Sequence, residues 1–104
     1  MTIEYAHEKL RQAMRSLATG SGGLHERLRE AGLILIRLKP DDFPDKDLRR
    51  IFTGLLDDLT YAEPQRGEAR ISATLRVTSD EDARAIAGRI IDLYHKIDYL
   101  LREC

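Results

Sequence analysis

Apolar residues recur every three or four positions along most of the chain, which is the period of an amphipathic α-helix. This pattern predicts four main helices, at about 2–19, 23–38, 44–59 and 79–102. A shorter segment at 68–76 fits a helix, although its alternating apolar positions from Ile71 to Val77 also suit a strand. We prefer the helix, because a single strand has no partner to pair with. The predicted fold is an all-α, compact bundle of four main helices with a short fifth helical element.

Residues at the predicted boundaries agree with these helices. We expect Gly20 to close the first helix in the left-handed conformation and Pro40 to stop the second. Pro44 is placed in the first turn of the third helix, where proline is well tolerated. Ser79 can cap the last helix, and three acids directly after it complement the helix dipole.

Two of the helices carry more apolar positions than one neighbouring helix covers. The run from Leu33 to Ile36 is apolar all round, and the apolar stripe of the last helix continues for more than five turns. Such breadth is typical of a helix that is central to a bundle or that lies in a dimer interface. We therefore predict a homodimer whose interface includes Leu33, Ile34, Ile36, Leu93, Tyr94 and Ile97.

Composition limits the class of protein. The 104 residues suit one helical domain, 1–104, and the net charge of −1 gives no general attraction to nucleic acid. Basic residues outnumber acidic ones by seven to four over 1–39, but the acids are interleaved among them and no aromatic platform accompanies them. We find no membrane span and no signal peptide, and the only cysteine, Cys104, cannot form an intramolecular disulfide. We expect a cytoplasmic protein.

Several stretches resemble a family of short, uncharacterised bacterial helical proteins. They are SLATGSGGLHERLREA, the KPDDFP turn, the Leu-Thr ending of the third helix and the ISATL…RIIDLY tail. The resemblance covers most of the chain and implies a self-contained fold. It implies no catalytic residue and no function.

The glycine-rich loop LATGSGGLHER raises the question of a phosphate site. It lacks the Lys-Ser or Lys-Thr of a P-loop, and a helix rather than a strand precedes it. The remaining hypothesis is an anion held by backbone amides after Gly22 and Gly23, with Arg27 nearby. We prefer a simple turn between two helices.

One pair of residues on the last helix suggests catalysis. The spacing Arg89-x5-His95 is similar to the Arg-x4–6-His signature of HEPN-type ribonucleases. The resemblance implies that Arg89 contacts phosphate and that His95 is an acid or base, often with a second copy of the motif across a dimer. An isoleucine follows Arg89, where that family generally has a polar residue.

Metal chemistry has weaker signals. Glu4-x-x-His7 and Asp92-x-x-His95 have the spacing found in di-iron bundles, but no acid interrupts the apolar faces of the second and third helices. The acidic pairs at 41–42 and 57–58 fit turns and solvated surfaces better than a carboxylate site. We therefore expect neither a metal nor another cofactor.

These observations favour a non-enzymatic protein-interaction or accessory module that forms a homodimer and has an additional protein partner. The alternative is a HEPN-like ribonuclease or nucleic-acid-associated element that uses Arg89 and His95.

Overall fold

Five α-helices and one short 3-10 turn make up the fold. The computed structural model describes residues 3–103. Its helices are α1 (Ile3–Thr19), α2 (Leu24–Leu35), α3 (Lys46–Thr60), α4 (Arg70–Arg76) and α5 (Asp80–Glu103), with the 3-10 turn at Pro40–Asp42. No strand occurs within 3–103, so the all-α prediction is confirmed, including the helix at α4.

Helix α5 contacts α1, α2 and α3. It runs antiparallel to α1, since His7 near the start of α1 meets Asp98 near the end of α5. It also runs antiparallel to α3, where Asp58 meets Arg89. Helix α2 forms a hairpin with α1, and α4 packs against α2 and α3.

The core is built from the apolar stripes that the sequence period predicts. Ala6, Leu10 and Ala13 of α1 are fully buried, as are Leu28 and Ala31 of α2. The alanines remove side-chain bulk and let the two helices approach closely. A radius of gyration of 13.4 Å gives the compact form expected for about 100 residues.

The second and third helices are shorter than predicted. Helix α2 ends at Leu35 rather than at 38, and two tighter bonds, from the amide of Arg37 to Ile34 and from that of Leu38 to Leu35, follow it. This turn brings Leu38 into the core before the extended residue that Pro40 requires. Helix α3 begins at Lys46, after Asp45 caps it by accepting a hydrogen bond of 2.8 Å from the Leu48 amide.

The remaining ends agree more closely with expectation. Ser79 caps α5 by accepting a hydrogen bond of 3.0 Å from the Asp82 amide. Helix α1 ends at Thr19 as predicted, whereas its predicted start at Thr2 lies outside the described residues, as does Cys104. Within 3–103, no helix combines the length and the apolar character that crossing a membrane requires.

Candidate interaction surface

The last turn of α2 leaves apolar side chains partly open. Leu35 is fully buried, Leu33 and Ile34 are partly buried, and Ile36 directly after the helix is 46% exposed. Four consecutive apolar residues point to all sides of a helix. Leu35 belongs to the core and Leu33 packs against it, whereas Ile34 and Ile36 do not. We call Leu33, Ile34 and Ile36 the open end of α2.

The predicted interface residues on α5 are more deeply buried within the protomer than those on α2. Leu93 and Ile97 are fully buried within the protomer, so they belong to its core and are not available to a second copy. Tyr94 is partly buried, and its ring stacks on His7 with a centroid separation of 5.1 Å. The prediction of these α5 residues as interface is wrong for Leu93 and Ile97, because α1, α2 and α3 cover the wide face of the helix.

The outer surface beside the open end of α2 carries both signs of charge. Glu30 accepts a hydrogen bond of 3.0 Å from Arg29, and both side chains are about half exposed. Arg37, on the turn after α2, forms no ion pair or side-chain hydrogen bond within residues 3–103. A groove between α1 and α2 continues from Ile34 towards the glycine-rich loop. The apolar surface is thus bordered by Arg37, which has no ion pair among the described residues, and by Glu30, which is paired with Arg29.

The predicted anion site is occupied by the chain itself. The Gly23 amide donates a hydrogen bond of 2.7 Å to the Glu26 carboxylate, and Arg27 donates one of 2.7 Å to the Leu17 carbonyl. These contacts use the amide and the guanidinium that a bound anion would need, so Gly22, Gly23 and Arg27 form a helix-to-helix turn instead. Gly22, rather than Gly20, has the left-handed backbone, with φ of +88°, and a Cβ there would collide with Glu26.

Arg89 and His95 point to different sides of α5. Arg89 donates a hydrogen bond of 2.6 Å to Asp58 of α3. His95 is exposed, and its ring meets the neighbouring Tyr94 edge-on. Six residues correspond to about 120° around a helix, so one protomer does not bring the two side chains together. The ribonuclease alternative stays a prediction.

A polar cluster between α1 and α5 was missed by sequence reasoning. His7 lies 3.0 Å from Asp98, and Arg102 donates two hydrogen bonds to the same carboxylate. These two partners, Arg102 first, lower the pKa of Asp98. The Asp98–Arg102 pair is visible in sequence at the i,i+4 spacing, but its link to His7 spans 91 positions and has no local signal.

The other acidic and histidine pairs also serve structural contacts. Asp42 is buried and accepts a hydrogen bond of 2.8 Å from the Lys39 amide, and Asp58 is bound to Arg89. The Nε2 atom of His25 donates one of 2.8 Å to the Thr78 carbonyl. In the part of the chain that the structure describes, no three histidine, cysteine or acidic side chains group as metal ligands.

Comparison of the chain with protein-family models, with curated proteins and with solved structures found no match. We therefore infer the function from the contacts that the residues of the chain make.

Proposed function

We propose that this protein is a non-enzymatic interaction module that works as a homodimer, with the open end of α2 as its contact surface. The observation that carries the proposal is the contrast inside one run of four apolar residues. Leu35 fills the core while Ile36, next to it, is 46% exposed. Apolar side chains gain free energy when a partner removes them from water, at about 25 cal/mol for each Å² buried.

The three histidines make contacts within the protomer. His7 contacts Asp98 and Tyr94, His25 contacts a backbone carbonyl, and His95 contacts the edge of a tyrosine ring. These contacts are of the kind that join neighbouring elements of a fold, which is the role the proposal gives them.

The experiment is a measurement of molecular mass by size-exclusion chromatography with light scattering, over a concentration series up to about 100 µM. We expect the parent protein to move towards the dimer mass as concentration rises. Ile34→Glu places a charge on the contact surface and should shift the protein to the monomer without changing its helical circular dichroism.

Ile91→Glu is the matched control. Ile91 is 37% exposed on α5, so it is also an isoleucine in partial contact with solvent, but it lies away from the open end of α2. It should leave the mass profile unchanged. A parent protein that stays monomeric over the whole series would overturn the proposal, and dissociation by Ile91→Glu alone would move the interface to α5.

A further inference from the structure

Resting on the proposed function, we infer the geometry of the dimer: two α2 helices pack antiparallel about a twofold axis near Leu33, with Glu30 of each protomer facing the partner's Arg37. The occupant of the surface is a second copy of this chain. It follows from the position and charge of three residues that share one side of α2.

Glu30, Leu33 and Arg37 form the outer stripe of α2, on which Leu33 is partly buried and packs against the hydrophobic core. Their spacing of three and then four residues keeps them within about 60° of one another around a helix. Arg37 lies past the last helical residue, but the i→i+3 bond from its amide to Ile34 keeps the chain winding in the same sense. Arg37 is accordingly exposed, and Leu38, the next residue, is buried.

The charges along this stripe are separated by sign. On the outer stripe, the acid Glu30 precedes the cation Arg37. Arg27 and Arg29 lie on other sides of α2 and are bonded within the protomer. An antiparallel pair brings Glu30 of each helix to Arg37 of the other, whereas a parallel pair would place like charges together. The stripe is therefore complementary to a second copy of itself in the antiparallel direction only.

The position of the axis follows from the same residues. Glu30 and Arg37 are seven positions apart, so their midpoint lies between Leu33 and Ile34. A twofold axis at that midpoint places these two apolar residues at the centre of the contact and the two charge pairs at its edge. This is the usual anatomy of an isologous interface, in which an apolar centre is surrounded by a polar rim.

Both charged groups have capacity for the new contact. Arg37 has no ion pair within residues 3–103. The Glu30 side chain is 60% exposed, and its carboxylate accepts a hydrogen bond from Arg29. An ionised carboxylate has about four lone-pair sites, so it can keep Arg29 and accept a guanidinium from the partner.

Charge reversal tests this geometry by sedimentation velocity. Glu30→Arg and Arg37→Glu each replace two attractive contacts of the dimer by two repulsive ones. Each variant alone should therefore dissociate about tenfold more readily than the parent, since each exposed pair contributes up to about 1 kcal/mol. An equimolar mixture of the two variants should recover a dimer, because every contact in that mixed pair joins opposite charges.

Recovery of the dimer in the mixture would exclude a folding defect as the cause of dissociation, because mixing two misfolded variants does not refold either of them. If both variants dimerise like the parent, or if the mixture stays as dissociated as its components, the antiparallel geometry is overturned while the homodimer of the proposed function stands. If the parent itself is monomeric at every concentration, both proposals fall.

Discussion

Helices α5 and α2 both have apolar surfaces too broad for one neighbour, but their apolar residues are buried within the protomer to different extents. Helix α5 contacts α1, α2 and α3, and its Leu93 and Ile97 are completely buried. In the last turn of α2, Leu35 is buried and Leu33 packs against the core, but Ile36 directly after the helix remains 46% exposed. The width of an apolar stripe therefore indicates how much of a helix must be covered. It does not indicate whether the covering residues belong to the same chain or to a partner.

The difference also extends to the polar residues at the edges of the two helices. On α5, Asp98 is held by Arg102 and by His7 of α1, which ties the end of the helix to its neighbour. Beside the open end of α2, Arg37 has no ion pair within the described residues. The end of α5 is thus joined to α1 within the protomer, whereas the end of α2 retains both apolar and charged groups for a partner.

The largest expected effect is a difference in stability between replacing a fully buried leucine, Leu93, and replacing a partly buried one, Leu33. Leu93→Ala should lower the free energy of unfolding by about 3 kcal/mol, because it removes a fully buried side chain and leaves a cavity. Leu33→Ala removes a partly buried side chain and should cost about 1 kcal/mol or less in the dilute monomer. Urea denaturation at low protein concentration measures both values, and similar losses would remove the distinction between the two helices.

A smaller effect is expected in the pH dependence of stability, through the carboxylate of Asp98. The folded-state pKa of Asp98 lies below its unfolded value, so its ionised form adds stability that is present above about pH 4 and lost as the pH falls through the folded pKa. Asp98→Asn should therefore be less stable than the parent at neutral pH, and the two should converge in acid. Thermal unfolding as a function of pH measures the difference.

Arg37→Gln is the control on α2 for that comparison. Because Arg37 has no ion pair within residues 3–103, its replacement should leave the stability of the dilute monomer unchanged at every pH. A difference between parent and Asp98→Asn that is constant with pH would show that the carboxylate charge has no role in joining α5 to α1.

Sequence periodicity predicted the helices well because each one buries a stripe at the helical repeat. Local signals were also sufficient for Ser79, whose cap needs only the amide three residues later. They were insufficient at Leu93 and Ile97, since no local pattern states how many helices surround α5. The contact of His7 with Asp98 could not be predicted from local sequence either, because it depends on how two helices that are distant in sequence align.

The glycine-rich loop shows a second limit of local patterns. Its glycines are compatible with an anion site as well as with the tight turn that we prefer from the sequence. The structure distinguishes them through the Glu26 side chain, which bonds the Gly23 amide and occupies the place of an external anion. Glu26 is three residues after Gly23, a capping-box spacing that was open to recognition from sequence.

Backbone hydrogen–deuterium exchange of the parent protein, compared between dilute and concentrated solutions, tests the central contrast most directly. If the open end of α2 is the interface, concentration should slow exchange in the peptide that covers Leu33 to Lys39 and leave the peptides of α5 unchanged. Slower exchange along the exposed side of α5 with no change after Leu33, or no change anywhere, would contradict the account.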